Sequence, residues 1–383
     1  MDKITNLTNI RFLNFNNNHC DILKTDIAIQ KGIVISDKKL EGYSSVDLSD
    51  WVIMPPFFNL HAHLGESVFR DITGSDWTLE KYLRYTDNHN IQLDESALAK
   101  EWKVSAEYTI LEQQRHGIFS FCAARSAEIS LKYNAINMSG YPIMHSEKLK
   151  KYSQRGLEGF KEYYSCFQNP NCSIGIFLHS IYRNDLQSLK LAYDCLNVGA
   201  KFLTCHISED AWSRQKEISS FNTLPIFTLH NHGLLNANTI LVHCGYLEER
   251  ELELVARQKA HIVICPISNK FLNTSIINPV ILNKYNISWS VATDGIATGR
   301  TFSLLKQCNS LKKCYPNVSY NDLLASIMRR NSVSFTDGLS KFGVKLGSIP
   351  VFVGIKSKET EINSILSKLF RDENVTIFNF NQR

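Results

Sequence analysis

The chain has 383 residues, of which 44% are hydrophobic and 21% charged, and this composition is typical of globular proteins. It excludes an intrinsically disordered chain and a fibrous repeat. The 42 Lys and Arg residues exceed the 37 Asp and Glu residues by only five and are scattered along the chain, so we expect no nucleic-acid partner.

The chain shows no sign of a membrane segment or of a disulfide framework. No apolar run approaches the roughly eighteen residues of a membrane-spanning helix, and the polar start is unlike a secretory signal. We therefore expect a cytoplasmic protein without a membrane partner. The ten cysteines include no CxxC pair, and several lie in apolar, strand-like runs. They are predicted to be reduced core residues rather than zinc ligands.

Predicted strands extend along most of the chain. Up to residue 54, short stretches alternate apolar and polar side chains, which is typical of antiparallel strands. From residue 55 onward, short apolar runs alternate with amphipathic segments, as buried parallel strands and helices do. The candidate parallel strands are 57–61, 117–123, 141–145, 173–179, 201–206, 239–243, 261–265 and 288–294. Eight such strands predict a closed barrel. Strand-like composition returns at 349–353 and 375–380, so the C-terminus is expected to join the N-terminal β unit.

Histidines gather at the ends of the predicted strands, where barrel enzymes carry their catalytic groups. They are His61, His63, His145, His179, His206 and His243. Residues two apart on a strand point the same way, so both imidazoles of the HxH pair can bind one metal ion. A single such histidine also fits a surface or core role. Together with Asp294, however, the histidines at the strand tips indicate a metal site.

Six motifs follow one another in the order found in a known enzyme superfamily. They are a proline-bearing strand with HxH at 54–64, a His-Ser-x-Tyr turn at 179–182, HxxE at 206–209, the strand-end histidine 243, Cys-Pro-x-Ser-Asn at 265–269 and Thr-Asp-Gly at 293–295. From about residue 54 to 338 the chain resembles the amidohydrolase superfamily. It is most similar to the chlorohydrolase and amino-heterocycle deaminase branch, and in the last two motifs to aminofutalosine, adenosine-type and S-adenosylhomocysteine deaminases.

The resemblance implies a distorted (β/α)8 barrel at residues 55–344 and a small β-sandwich domain built from 1–54 and 345–383. It also implies four metal ligands: His61, His63, His206 and Asp294. A single ion is expected because His179 stands where binuclear members have a bridging lysine or acid. Zinc is the expected ion, with iron(II) or manganese(II) as alternatives. We also expect a homodimer.

The implied chemistry is attack of metal-activated water on a ring carbon that carries an amino group. Glu209 is expected to give a proton to the ring nitrogen, while His243 and Asp294 accept the proton of the water and pass one to the departing ammonia. Glu209 also fits a surface carboxylate in a first helical turn, and His243 a core histidine.

Further residues are candidates for binding a small heterocyclic substrate. They are Glu66, Arg70, Arg125, His179, Ser268, Asn269 and Arg300. Glu66 is expected to hold an amidine edge, and the arginines an acidic group, although these charges also fit solvated loops. The chain departs from the deaminases at Ile181, which replaces a proline, at 297–299, where Ala-Thr-Gly replaces Ser-Ser-Asn, and at 346–353, which lacks an Ala-Asp pair.

The sequence therefore predicts a mononuclear metal-dependent hydrolase, specifically a deaminase of an aminated purine, pyrimidine or nucleoside. Two alternatives stay open. A non-deaminating hydrolase with the same site would remove a halogen, open a lactam or imine ring, or run a cyclisation in reverse, and would release no ammonia. A barrel without turnover would serve as a metal-bound binding module.

Overall fold

The computed structural model describes residues 3–16, 19–72, 74–133, 135–144, 150–328 and 341–380. His145, which the sequence places at a strand end, lies outside the described residues. The strands in chain order are β1 (Thr5–Asn16), β2 (His19–Gln30), β3 (Ile33–Ser36), β4 (Ser44–Asp47), β5 (Trp51–Met54), β6 (Phe57–His63), β7 (Ile118–Ala124), β8 (Ile136–Ile143), β9 (Cys172–Ser180), β10 (Leu203–Ile207), β11 (Thr239–His243), β12 (His261–Ile264), β13 (Trp289–Val291), β14 (Asp294–Gly295), β15 (Val351–Lys356) and β16 (Thr376–Asn379).

A parallel sheet forms the centre of the molecule. Within the described residues it has nine strands in the order β13-β12-β11-β10-β9-β8-β7-β6-β14. The edge strands β13 and β14 are only two residues apart in the chain, and they pair with β12 and β6 respectively. One chain segment thus joins both edges, and the sheet closes into the distorted barrel that the sequence predicts.

Helices lie between the barrel strands and after the last of them, and one more lies between β15 and β16. In chain order they are α1 (Leu79–Ile91), α2 (Glu95–Arg115), α3 (Ala127–Ser130), α4 (Lys150–Phe167), α5 (Leu186–Asn197), α6 (Ala211–Phe221), α7 (Pro225–Asn231), α8 (Glu249–Gln258), α9 (Pro266–Phe271), α10 (Pro279–Lys284), α11 (Ile296–Gly299), α12 (Leu304–Cys314), α13 (Tyr320–Met328) and α14 (Ile362–Asp372). Helix α5 illustrates how the sequence specifies these helices. The side chain of Asp185 caps its first turn, and Leu189, Ala192 and Cys195 are buried at the spacing of one helical face.

Strands from both ends of the chain form a second sheet, in the order β16-β15-β5-β1-β2-β3 with β4 beside β1. Antiparallel pairing of β15 with β5 joins the end of the chain to its beginning. Leu7, Ile10 and Phe352 belong to the core of this β unit. The strands are hydrogen-bonded as one sheet, where the sequence predicts a sandwich, and the division of the chain into two domains stays a prediction.

All ten cysteines are free, but only eight are buried. Cys166 and Cys314 are exposed, so the prediction of core positions is wrong for these two. Among the described residues, no helix combines the length and apolarity that crossing a bilayer requires.

Candidate active site

Four side chains converge at the carboxyl end of the barrel. His61 and His63 come from β6, His206 from β10 and Asp294 from β14. The three histidine Nε2 atoms lie 3.1–3.2 Å from one another. Oδ1 of Asp294 lies 3.2 Å from Nε2 of both His61 and His63. These four residues are called the metal cluster below, because their ligand atoms all lie within 4.8 Å of one another.

The donor atoms of the metal cluster fit a divalent metal ion. Two donors about 2.1 Å from one ion and 3.2 Å from each other subtend roughly 100° at it, between octahedral and tetrahedral angles. Nδ1 of His206 lies 2.5 Å from the backbone carbonyl oxygen of His179. Because a carbonyl only accepts, Nδ1 carries the proton and Nε2 keeps a lone pair for the ion.

Burial and nearby charges set the ionisation of the metal cluster. Burial lowers the pKa of His61 to about 4. At His63 burial acts in the same direction, but the charges of Glu66 and Asp294 outweigh it and raise the pKa to about 9. Burial opposes ionisation of Asp294 as well, yet hydrogen bonds to His61 and His63 hold its pKa well below the usual range. The cluster therefore offers an anionic carboxylate to a cation.

Glu209 and His243 lie beside the metal cluster, and both are buried. Oε1 of Glu209 is 3.5 Å from Nε2 of His243. Burial, together with the charges of Asp294 and Asp210, raises the pKa of Glu209 well above its usual value. Burial lowers the pKa of His243, although Asp294 opposes this. Burial thus favours the protonated form of the Glu209 carboxyl group and the neutral form of the neighbouring His243 imidazole, and these forms suit proton transfer.

Two consecutive residues of α9 orient these groups. The Ser268 hydroxyl donates a 2.6 Å hydrogen bond to Oδ2 of Asp294, and the Thr298 hydroxyl lies 3.4 Å from the same oxygen. Nδ1 of His243 donates to Oδ1 of Asn269 over 3.4 Å. The sequence predicts that Ser268 and Asn269 bind substrate. In the structure both contact residues of the reaction centre, and direct contact with substrate stays a prediction.

The backbone turns sharply where the strands end. Ser208, His243 and Asp294 have positive φ angles of 45°, 71° and 60°. Residues with a Cβ adopt this left-handed conformation rarely and at a cost, and such residues are frequent at functional sites. These turns interrupt the alternation of side chains along each strand.

Glu66 and His179 border the metal cluster. Oε1 of Glu66 lies 3.7 Å from Nδ1 of His63, and its Oε2 accepts a 2.8 Å hydrogen bond from the Tyr82 hydroxyl. The ring centres of His179 and His206 are 4.8 Å apart. Tyr82 is buried on α1. Sequence reasoning missed Tyr82, since it belongs to none of the motifs and only the fold brings it to Glu66.

Arg125 does not contact the metal cluster in the described structure. Its guanidinium forms a bidentate pair with Glu128 at 2.9 and 2.7 Å and lies 4.0 Å from the ring centre of Trp102. These contacts hold the turn after β7, and the role of Arg125 in binding an acidic substituent stays a prediction.

Arg70 and Arg300 come together, but away from the metal cluster. Nη1 of Arg300 donates to the backbone carbonyl oxygens of Arg70, Ile72 and Ala297. Both arginines line a surface cavity of about 280 Å³, and no residue of the metal cluster lines it. Arg300 thus ties the segment after β6 to α11, while binding of an acidic group by the two arginines stays a prediction.

An apolar cluster covers the mouth of the barrel. Trp77 and Tyr82, from the segment after β6, pack in one cluster with Leu272 after α9. An ion pair of 2.8 Å between Arg183 and Asp87 ties α1 to the turn after β9. His61, His206 and Asp294 are buried, whereas the side chain of His63 is 19% exposed. Burial of the first three strengthens the electrostatic interactions among them.

Residues 184–327 match the sequence model of the Amidohydrolase family. The match covers 144 of the 383 residues. This confirms the resemblance that the six motifs indicate. The match begins after the HxH pair of β6, so that pair is assigned to the site by its position in the structure.

Among similar proteins, this chain is 22% identical over 296 residues to 5-methylthioadenosine/S-adenosylhomocysteine deaminase of Pyrococcus furiosus, and the alignment covers 75% of this chain and 70% of the relative. It is 23% identical over 273 residues to 5-methylthioadenosine/S-adenosylhomocysteine deaminase 2 of Archaeoglobus fulgidus, covering 69% of this chain but only 64% of the relative. An adenosine deaminase of Xanthomonas campestris, solved with bound zinc, superposes with a TM-score of 0.81 at 16% identity over 99% of this chain and 92% of that one. This structural likeness shows the fold.

Proposed function

We propose that this protein is a mononuclear metal-dependent hydrolase that deaminates an aminated purine- or pyrimidine-type heterocycle or nucleoside. The observation that carries the proposal is the convergence of three imidazole nitrogens and the Asp294 carboxylate beside Glu209 and His243. Relatives named as 5-methylthioadenosine/S-adenosylhomocysteine deaminases support the substrate class. Zinc is the proposed ion, because it suits imidazole and carboxylate donors and is bound in the Xanthomonas adenosine deaminase.

The reaction adds water to a ring carbon and expels its amino group as ammonia. His61, His63, His206 and Asp294 would hold a divalent cation, which would make water acidic enough to supply a nucleophile near neutral pH. Attack on the carbon moves an electron pair onto the neighbouring ring nitrogen. Glu209, whose protonated form is favoured because burial raises its pKa, donates a proton to that nitrogen and so prevents a buried negative charge.

His243 and Asp294 act on the attacking water. The imidazole of His243 is neutral at neutral pH because burial lowers its pKa, so it accepts the proton that the water loses. Asn269 orients this ring through Nδ1. Asp294 stays ionised, and its carboxylate accepts hydrogen bonds from the attacking water. The protonated His243 then gives its proton to the amino group as the C–N bond breaks and ammonia departs. The hydroxyl on the ring carbon becomes a carbonyl, and its proton returns to Glu209.

Glu66 is proposed to select the substrate by its hydrogen-bond donors. Its carboxylate lies at the edge of the metal cluster, held by the Tyr82 hydroxyl at Oε2. A carboxylate accepts several hydrogen bonds, so it is suited to the N–H groups of an aminated ring edge. A ring with only acceptors on that edge is expected to bind poorly.

Ammonia release by the zinc-loaded protein tests the proposal. The panel comprises aminopurines, aminopyrimidines, pterins and their nucleosides, with Glu209→Gln as the negative control. We expect release from one subgroup and a loss of at least about 100-fold in the control, because general acid catalysis contributes that much. Absence of release by the metal-loaded protein across the panel would instead favour the non-deaminating hydrolase or the binding module.

The assembly and location are part of the proposal as well. We propose a homodimer, which light scattering of the purified protein checks. We also propose a cytoplasmic location, and fractionation of the source cells checks it.

A further inference from the structure

A buried carboxylate holds the loop that carries Glu209. Glu217 belongs to α6, and its side chain is only 1% exposed. Its two oxygens accept the backbone N–H of Ser208 at 3.2 and 3.1 Å, and Oε2 also accepts the Ser208 hydroxyl at 3.0 Å. One carboxylate thus takes both hydrogen-bond donors of Ser208.

Ser208 lies between a residue of the metal cluster and the proposed proton donor. In a regular strand, residues 206 and 208 would face one side and residues 207 and 209 the other. The left-handed backbone of Ser208, with φ of 45°, interrupts this alternation. As a result His206 joins the metal cluster while Glu209, three residues later, still reaches His243 in the same cavity.

This backbone conformation needs support. Serine has a Cβ, so the left-handed region is unfavourable for it. The hydrogen bonds to Glu217 offset that cost. Arg214 adds to them, because its Nη1 donates to the Ser208 hydroxyl oxygen at 3.2 Å while its Nη2 pairs with Glu251 at 2.8 Å.

We propose that Glu217 is a positioning residue: it holds Ser208 in the left-handed conformation that directs the carboxyl group of Glu209 into the reaction centre. This inference rests on the proposed function, in which Glu209 is the proton donor. Glu217 itself touches neither the metal cluster nor Glu209 through any hydrogen bond in the described structure. It lies outside the HxxE motif, eight residues after Glu209.

The first test is Glu217→Gln, which keeps the size of the side chain. An amide has one acceptor oxygen, and its NH2 group would face a donor of Ser208. With the zinc-loaded protein we expect kcat to fall about 10- to 100-fold, while KM stays within about threefold and the metal content is unchanged. A kcat within about twofold of the wild type would overturn the proposal.

The second test is rescue by Ser208→Gly. Glycine adopts positive φ without a Cβ penalty and has no hydroxyl to satisfy. The kcat of the double variant Ser208→Gly/Glu217→Gln should therefore be at least about tenfold higher than that of Glu217→Gln alone. A general loss of stability would not produce this non-additivity. A double variant as slow as Glu217→Gln alone would contradict the positioning role.

Glu251→Gln is the matched control. Glu251 is a fully buried glutamate that pairs with Arg214 and accepts the N–H of Glu248, without touching Ser208. We expect this variant to melt at a lower temperature but to keep kcat within about threefold. An equal loss of kcat in Glu251→Gln and Glu217→Gln would overturn the specific role of Glu217, because Glu251 reaches Ser208 only indirectly, through Arg214.

A structural readout separates this inference from the proposed function. Crystal structures of wild type and Glu217→Gln would compare the φ angle of Ser208 and the 3.5 Å distance between Glu209 Oε1 and His243 Nε2. If the wild type releases no ammonia, the proposed function fails, yet a displaced Glu209 in the variant still supports positioning. An unmoved Glu209 overturns it whatever the activity.

Discussion

Ser268 donates its hydroxyl proton to Oδ2 of Asp294 over 2.6 Å, and Oδ2 is the carboxylate oxygen opposite the one that contacts His61 and His63. One oxygen of Asp294 is thereby held by the protein while the other faces the metal cluster. The two residues are 26 positions apart in the chain and lie after different barrel strands.

Ser268→Ala should weaken metal binding. Among the described residues, the variant leaves Oδ2 of Asp294 with only the 3.4 Å contact to the Thr298 hydroxyl, so the carboxylate is less firmly oriented. Loss of such a supporting hydrogen bond typically lowers metal affinity about 10- to 100-fold. Competition with a chelator measures the dissociation constant. Ser326→Ala removes an equally buried serine, bonded to the carbonyl of Leu323, and should leave the affinity unchanged. Equal affinities in both variants would refute the orienting role.

His206→Ala should abolish stoichiometric metal binding. It removes one of three imidazole donors, and the metal content after gel filtration, measured by atomic emission, should fall to roughly a tenth or less of the wild-type value. His261 provides the control, because it is also buried, with 1% exposure, but is the first residue of β12. It therefore lies at the end of the strand away from the metal cluster, where it hydrogen-bonds to Ser290. His261→Ala should keep its metal even if it melts earlier. Full metal content in His206→Ala would show that the ligand assignment is wrong.

The pH profile should show a basic limb that belongs to Glu209. Burial and neighbouring negative charges raise the pKa of Glu209 well above its usual value, so the carboxyl group stays protonated into a higher pH range. A proton donor is lost as pH rises through that raised pKa, and kcat/KM should therefore fall on the alkaline side. Residual turnover of Glu209→Gln, followed over the same pH range, should lack this limb. A wild-type profile that rises steadily with pH would contradict the role of Glu209 as an acid.

Gly295→Ala should disturb Glu66. A Cβ at position 295 would overlap Oε2 of Glu66, whereas the backbone, with φ of −74° and ψ of 146°, accepts any residue. We expect a loss of about 1–3 kcal/mol in the free energy of unfolding. Glu66→Ala removes the obstructing carboxylate. In the Glu66→Ala background, Gly295→Ala should lower the free energy of unfolding much less. Urea denaturation of the wild type, the two single variants and the double variant measures this difference as a double-mutant cycle. Strictly additive losses would show that the contact with Glu66 is not the cause.

The barrel strands could be predicted where apolar runs are continuous. Residues 239–243 coincide with β11, since every residue of that strand is buried. The third strand was predicted at 141–145 but spans Ile136–Ile143. Its first half contains Asn137 and Ser139, which are buried because they find partners in Ser130 and Tyr163. Polar residues that are buried because they hydrogen-bond to residues elsewhere in the chain break the apolar pattern by which a strand is predicted.

The convergence of the four predicted ligands could be foreseen because these residues carry a local signal, while their binding of a metal ion stays a prediction. His61, His63 and His206 each end an apolar run, and the ends of parallel strands meet at one edge of a barrel. The arginines carry no such signal. In the sequence, Arg125 and Arg300 each follow a barrel strand, and nothing local shows what they bind. In the structure, Arg125 forms an ion pair with Glu128, and Arg300 donates to three backbone carbonyl oxygens.

The sequence by itself determined the barrel, its closure and the convergence of the metal cluster, because strand period and strand-end position are local properties. Only the tertiary structure decided which residues support that centre. Ser268 acts on Asp294, and Glu217 on Ser208, across chain connections that no motif spans. A hydrogen bond depends on the placement of two atoms within a few tenths of an ångström, and that placement exists only once the elements carrying them have packed.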